Sequence, residues 1–257
     1  MVLKKDRWNM TLDFFRSFYR NRYKLNDRFV IRDGKKHPLA IICPGGGYKV
    51  VCSFIEGRPF AKELNKKGIS AVIVYYRVRW RAKYPNPQDD LARAVREVLE
   101  HAEEYGVDPE HYSVWGSSAG GHLAACFGTK ELGYEHYGLK KPESLVLIYP
   151  VITMHKDLAH MGSRGFLLGE DANEEAESRV SVDEHVTQEY PRTFLWCGDA
   201  DKSVPPDNSR HMDEALTKAG VDHRFVLYPG VGHGVGKGDG TAAANWIDEA
   251  VDFWMAS

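Results

Sequence analysis

The chain has 257 residues, 43% of them hydrophobic, and its 34 Lys and Arg against 36 Asp and Glu leave a formal charge of −2. That is enough apolar material for one sizeable core, and a near-zero charge without a long basic run removes the electrostatic case for binding nucleic acid or a membrane surface. No apolar run reaches the roughly 18 residues of a membrane-spanning helix, and the charged start MVLKKDRWNMTLDFF lacks the apolar segment of a signal peptide, so a cytoplasmic protein is expected.

From the N-terminus, residues 1–27 are aromatic and basic and read as an extension. PLAIIC (38–43) and ISAVIVYY (69–76) are almost continuously apolar, as strands buried on both faces are. Between them GRPFAKELNKKG (57–68) has a helical pattern and ends on Lys residues followed by Gly. An amphipathic helix with two Asp in its first turn follows over 89–106. YSVWGS (112–117) reads as a strand, 118–130 as a helix and SLVLIYP (144–150) as a strand. PRTFLWC (191–197) and HRFVLYP (223–229) are further strands, with helices over 207–220 and 241–257. Strands alternating with helices predict an α/β domain with a mostly parallel central sheet covered on both faces. Residues 151–190 break this rhythm; they hold no clear strand, and an insertion of this length is expected to act as a small cap. A single domain over 1–257 is the expected organisation. Cys43, Cys52, Cys126 and Cys197 show no CxxC spacing and read as reduced structural thiols.

VWGSSAGGH (114–122) sits where a strand gives way to a helix. A nucleophilic serine at such a turn needs small residues two positions to either side, hence the pattern G-x-S-x-G. Gly116 and Gly120 flank Ser118 in this way, whereas Trp115 and Ala119 flank Ser117. Ser118 is therefore the candidate nucleophile and Ser117 a polar turn residue. The helix N-terminus behind it favours developing negative charge. The three glycines of CPGGGYKV (43–50) leave backbone N–H groups uncovered after a buried strand. Gly46, Gly47 and the N–H of Ala119 are the expected oxyanion hole, each donor contributing about 3 kcal/mol. No GxGxxG or GxxxxGK[ST] pattern accompanies them, so a nucleotide site is not expected.

Serine needs a base. His233 stands out in YPGVGHGVGKG (228–238), where a loop past a strand end can carry an imidazole to the site. His101, His111, His211 and His223 read as solvated, and His122 as a packing or hydrogen-bonding residue. His155, His160 and His185 lie in the cap, within reach of a substrate. The segment after FLWCG offers two acids to orient the base, Asp199 and Asp201. Either choice gives the order Ser, Asp, His, which differs from the chymotrypsin and subtilisin orders.

These residues resemble the α/β-hydrolase superfamily over about 28–257, and within it the small bacterial acetyl-esterase and xylan-esterase-like branch related to feruloyl-esterase-like carboxylesterases. PGGGY, GSSAGGHLAA and GDADKSVPPDNS carry the likeness. Hormone-sensitive-lipase-like esterases differ, with His before the glycines and an acid before the nucleophile, where this chain has Pro44 and Ser117. The resemblance implies an α/β-hydrolase fold, carboxylic-ester hydrolysis, and no metal or organic cofactor. It also favours Asp201, because Asp-x-x-Val-Pro resembles the acid loop of this fold, and leaves Asp199 as a turn residue.

The expected activity is hydrolysis of short acyl esters, acetate first, on a carbohydrate such as an acetylated xylo-oligosaccharide. Residues 151–190 carry nine acids against three bases and one short apolar cluster, Phe166-Leu167-Leu168. That composition suits a neutral, hydrated alcohol better than lipid. Tyr48, Tyr76, Arg77 and Trp80 follow strand ends and are candidates for the pocket wall. An amidase, peptidase or arylformamidase-like enzyme on the same triad, and an inactive binding protein, are the alternatives.

Overall fold

The six apolar runs become strands because each is long enough to cross a sheet and apolar enough to be covered on both sides. They are β2 (His37–Cys43), β3 (Ser70–Tyr75), β4 (Val107–Ser117), β5 (Ser144–Ile148), β6 (Arg192–Gly198) and β7 (His223–Tyr228), preceded by β1 (Lys24–Phe29). The computed structural model describes residues 24–256; the rest of the expected N-terminal extension lies outside the described residues. β1 is an edge strand that its sequence, KLNDRF, does not announce. It pairs antiparallel with β3, and every other pairing is parallel.

The order across the sheet is β1-β3-β2-β4-β5-β6-β7. The chain therefore winds one way from β2 to β3 and the other way from β4 onward. The switch between β2 and β4 opens a crevice at the carboxyl ends of the strands, the usual ligand site of an open α/β sheet.

Alternate residues of each strand feed two cores. Leu39, Ile41 and Val72 face one layer, with Leu91 of α2 (Asn86–Glu100), Leu123 of α3 (Ser118–Gly128) and, after the cap, Met212 of α6 (Asp207–Ala219). Ala40, Ile42 and Ile73 face the other, with Phe60 of α1 (Arg58–Lys66) and Trp246 of α7 (Trp246–Met255). The result is an α/β/α sandwich. The helix expected over 89–106 instead starts at Asn86 and stops at Glu100. His101 leaves the helical basin at φ −109°, ψ 24°, and a separate turn, Ala102–Tyr105, runs to Gly106 at φ 64°. No helix among the described residues is long and apolar enough to cross a membrane.

Residues 151–190 leave the carboxyl end of β5 and return at β6. They hold two short α-helices, α4 (Met161–Leu167) and α5 (Glu174–Ser178), and a 3-10 turn, Val182–Glu184. Leu167 is buried in the core, with Phe166 and Leu168 packed against it, so the apolar cluster does anchor the segment. A second staple is ionic. Arg164, only 1% exposed, donates through Nε and Nη2 to Glu177 Oε1 at 2.8 and 2.6 Å and through Nη2 to the Ala172 carbonyl at 2.8 Å. Removing one partner of such a buried pair costs about 3–5 kcal/mol.

Candidate active site

Ser118 is the first residue of α3 and has φ 53°, a conformation that non-glycine residues avoid. The turn is held by close backbone contacts that admit only glycine. A Cβ on Gly116 would lie 2.2 Å from the Gly120 carbonyl oxygen, and one on Gly120 would lie 2.1 Å from that of Cys43. The G-x-S-x-G spacing thus has a direct steric cause. Ser117 precedes the helix, but its hydroxyl caps no N–H group of α3.

The loops after β4, β6 and β7 converge here. The Ser118 hydroxyl lies 2.8 Å from His233 Nε2, and His233 Nδ1 lies 2.6 Å from Asp201 Oδ2. The Asp201 side chain is fully buried. Its Oδ1 accepts the N–H groups of Ser203 and Val204, each at 2.9 Å. Those two bonds fix the carboxylate, so Oδ2 accepts a hydrogen bond from Nδ1–H, which keeps the ring proton on Nδ1 and leaves Nε2 free to accept from the serine. Asp199, by contrast, turns away. Its Oδ1 accepts the Gly230 N–H at 2.7 Å and ties the β6 loop to the β7 loop.

The glycine loop after β2 folds against the serine: a Cβ on Gly45 would lie 2.9 Å from Ser118 Cβ. The Gly46 carbonyl accepts from Lys49 and Val50 N–H at 3.0 and 3.1 Å, bending the loop so that Gly46 sits at φ 125°. Among the described residues the N–H groups of Gly46 and Gly47 have no backbone acceptor. A buried carboxylate that sequence reasoning did not find braces this loop. Glu56, 4% exposed, accepts the Gly45 N–H at 2.8 Å and the Tyr149 hydroxyl at 2.7 Å. Burial pushes its carboxyl above the usual range, against the pull of those two donors and of His233. Tyr149 in turn packs edge-on against His233, with ring centroids 4.9 Å apart. Nothing in SFIEG marks Glu56 beforehand.

A cavity of about 350 Å³ joins these parts. Gly46, Gly47, Ser118 and His233 line it, and the cap adds His160, Gly162 and Phe166. No acid of residues 151–190 lines this cavity. Several of those acids serve the cap itself, Glu177 with Arg164, Glu175 with Arg179, and Glu184 with His155. Of the cap histidines only His160 reaches the wall; His185 bonds the Ser178 carbonyl at 2.9 Å.

Tyr48, Tyr76, Arg77 and Trp80 do not line the cavity. A strand end fixes where a residue starts but not which way it turns, and the first three turn inward. The Tyr76 hydroxyl donates to the Pro44 carbonyl at 2.6 Å, and Arg77 Nε donates to Asp90 Oδ2 at 2.8 Å. The Tyr48 hydroxyl meets His122 Nδ1 at 2.8 Å. Trp80 stands 69% exposed on a short turn, Arg79–Arg81.

His122 is fully buried in α3, and its Nε2 donates to the Val180 carbonyl at 2.8 Å, so one imidazole links the glycine loop, the helix that begins at Ser118 and the cap. Burial lowers its pKa to about 4, against a smaller opposing contribution from Val180. A folded value below the unfolded one, about 6.5, means that the unfolded chain binds more protons between these limits. Its contribution is therefore complete above about pH 6.5 and is lost as pH falls toward 4. At pH 5 the loss is about 2 kcal/mol relative to pH 7.5. Urea unfolding at both pH values should show this decline in the wild type and a decline smaller by about that amount in His122→Gln. Equal declines would assign the acid sensitivity elsewhere.

Comparison with known proteins gives a consistent picture. The model of the BD-FAE family matches residues 31–216. The chain is 29% identical over 221 residues to an acetylxylan esterase of Xylanibacter ruminicola, covering 83% of this chain and 44% of that protein. It is 28% identical over 216 residues to endo-1,4-beta-xylanase B of Butyrivibrio fibrisolvens, covering 80% and 34%. It thus spans a third to under a half of the length of these two relatives. Among solved structures, an acetyl ester-xyloside bifunctional hydrolase from Caldicellulosiruptor lactoaceticus superposes with a TM-score of 0.82 at 33% identity, covering 89% of this chain and 86% of that one.

Proposed function

The chain belongs to the BD-FAE family and has the α/β-hydrolase fold, and from that premise we propose that it is a serine esterase releasing short acyl groups, acetate first, from a carbohydrate alcohol. The observation that carries the proposal is the run of hydrogen bonds from Ser118 through His233 to Asp201, opening on a cavity that also contains Gly46 and Gly47. In this mechanism Ser118 Oγ attacks the ester carbonyl carbon while its proton passes to His233 Nε2. The negative charge moves to the carbonyl oxygen, where the N–H groups of Gly46, Gly47 and Ala119 receive it. Asp201 stabilises the imidazolium without taking its proton. Collapse breaks the bond to the alcohol, which leaves with the proton from His233. Water, deprotonated by His233, then attacks the acyl carbon; the bond to Ser118 Oγ breaks, Oγ takes back the proton from His233, and the carboxylic acid departs.

Two features support the substrate class. The cavity, about 350 Å³, is at the lower end of the range for small-molecule sites, roughly 300–1,000 Å³. Its wall includes polar groups, among them Lys49, His160 and Ser203, that a long acyl chain would leave unpaired. The relatives named above act, by their names, on acetylxylan, acetyl esters and xylosides, which favours acetylated xylose units. No such support attaches to an amidase, and an inactive binding protein is hard to reconcile with three intact, hydrogen-bonded triad side chains. Chain-length profiling with aryl acetate, butyrate, octanoate and palmitate tests the reading. kcat/KM for acetate should exceed that for octanoate by at least about tenfold. A maximum at octanoate or palmitate would replace it with a lipase-like one.

A further inference from the structure

The cap contributes a histidine where a helix start ordinarily has Ser, Thr, Asp or Asn. His160 is the N-cap of α4 and accepts the Ser163 N–H through Nδ1 at 3.1 Å, with the Ser163 hydroxyl 2.8 Å from the same nitrogen. An N–H donor pointed at Nδ1 requires a lone pair there. In the neutral ring the proton therefore sits on Nε2, which makes that nitrogen a donor. Adding a second proton would set Nδ1–H against the Ser163 N–H. Burial, and then the charge of His233, also hold His160 below the ordinary histidine range. The ring lines the cavity, and its Cε1 lies 3.4 Å from where a Cβ on Gly47 would stand. Of the other wall groups, Glu56 is occupied by Gly45 and Tyr149, and Ser118 and His233 bond each other.

A simple acyl ester has few oxygens to offer such a donor. The carbonyl oxygen belongs to the N–H groups of Gly46 and Gly47, and the acetyl methyl has none. Any further acceptor must come from the alcohol. We propose that His160 Nε2–H donates to a hydroxyl or ring oxygen of the alcohol next to the scissile ester, so that this cap residue selects polyol and sugar esters over simple ones. The inference rests on the esterase reading above and assigns its alcohol specificity to one residue.

The test compares kcat/KM on an acetylated methyl xyloside with that on phenyl acetate, whose alcohol has no second oxygen. Wild type, His160→Phe and His160→Gln are measured. The xyloside-to-phenyl ratio should fall about tenfold to a hundredfold in His160→Phe, which has no donor, and recover substantially in His160→Gln, which keeps one. A ratio unchanged in His160→Phe overturns the inference, as does an equal loss on both esters. A wild-type protein that cleaves neither ester would overturn the esterase reading itself, a different result. Nitrogen-15 histidine spectra of Ser118→Ala protein, which retains His160, give an independent readout. An Nε2–H tautomer whose signal shifts on adding methyl xyloside is expected; an Nδ1–H tautomer, or no response to the xyloside, would contradict the proposal.

Discussion

Ser118→Ala is expected to lower kcat on an aryl acetate by about 10⁴-fold or more, while Ser117→Ala stays within a few-fold of wild type. The two serines are adjacent, yet only one occupies the strained turn. Ser118 holds φ 53° at the start of α3, with its hydroxyl 2.8 Å from His233 Nε2. The methyl group of alanine keeps the turn and the packing but removes the atom that would bond to carbon. Residual rate would come from the loop N–H groups and binding alone. Ser117 ends β4, where its backbone pairs with Ile148, and its hydroxyl caps nothing. Comparable rates in the wild type and Ser118→Ala would remove the proposed mechanism.

Asp201→Asn should cost about 10⁴-fold in kcat with little change in fold. Asp201 Oδ1 is held by the N–H groups of Ser203 and Val204. In the asparagine variant the amide oxygen retains those donors, which turns its NH₂ group toward His233 Nδ1. That nitrogen then has to accept, and the ring proton moves to Nε2. A protonated Nε2 cannot take the proton of Ser118. Asp199→Asn makes the opposite case. Its oxygen can still accept from Gly230 N–H, so activity should stay within about fivefold of wild type. Steady-state kinetics on one acetate ester decide both; a large loss in Asp199→Asn with a small one in Asp201→Asn would reverse the roles of the two acids.

What the sequence revealed follows from which constraints are local. The turn at Ser118 could be read because its requirement for glycine is steric and lies within two residues of that serine. The parallel strands could be read because burial on both faces leaves continuous apolar runs. β1 could not, since an edge strand such as KLNDRF is stabilised by backbone pairing with β3 and leaves no apolar signature. Glu56 was also hidden. Its role depends on a carboxylate meeting Gly45 in the preceding loop and Tyr149 far along the chain. Tyr48 and Tyr76 show the limit of arguing from strand ends, because the direction of a side chain is set by what lies behind it. α5 begins with an ordinary cap, Asn173, whose side chain accepts the Ala176 N–H at 3.0 Å, and was open to being read. α4 begins with His160, which no capping rule suggests. The acid count of the cap carries no direction either: no cap acid lines the cavity.

The most direct test of the central claim is peptide mapping after stoichiometric reaction with a fluorophosphonate. A single adduct on Ser118, absent from Ser118→Ala and slowed strongly in Asp201→Asn, is the predicted result. An adduct on Ser117 or another residue, or none in the folded wild-type protein, would contradict the account.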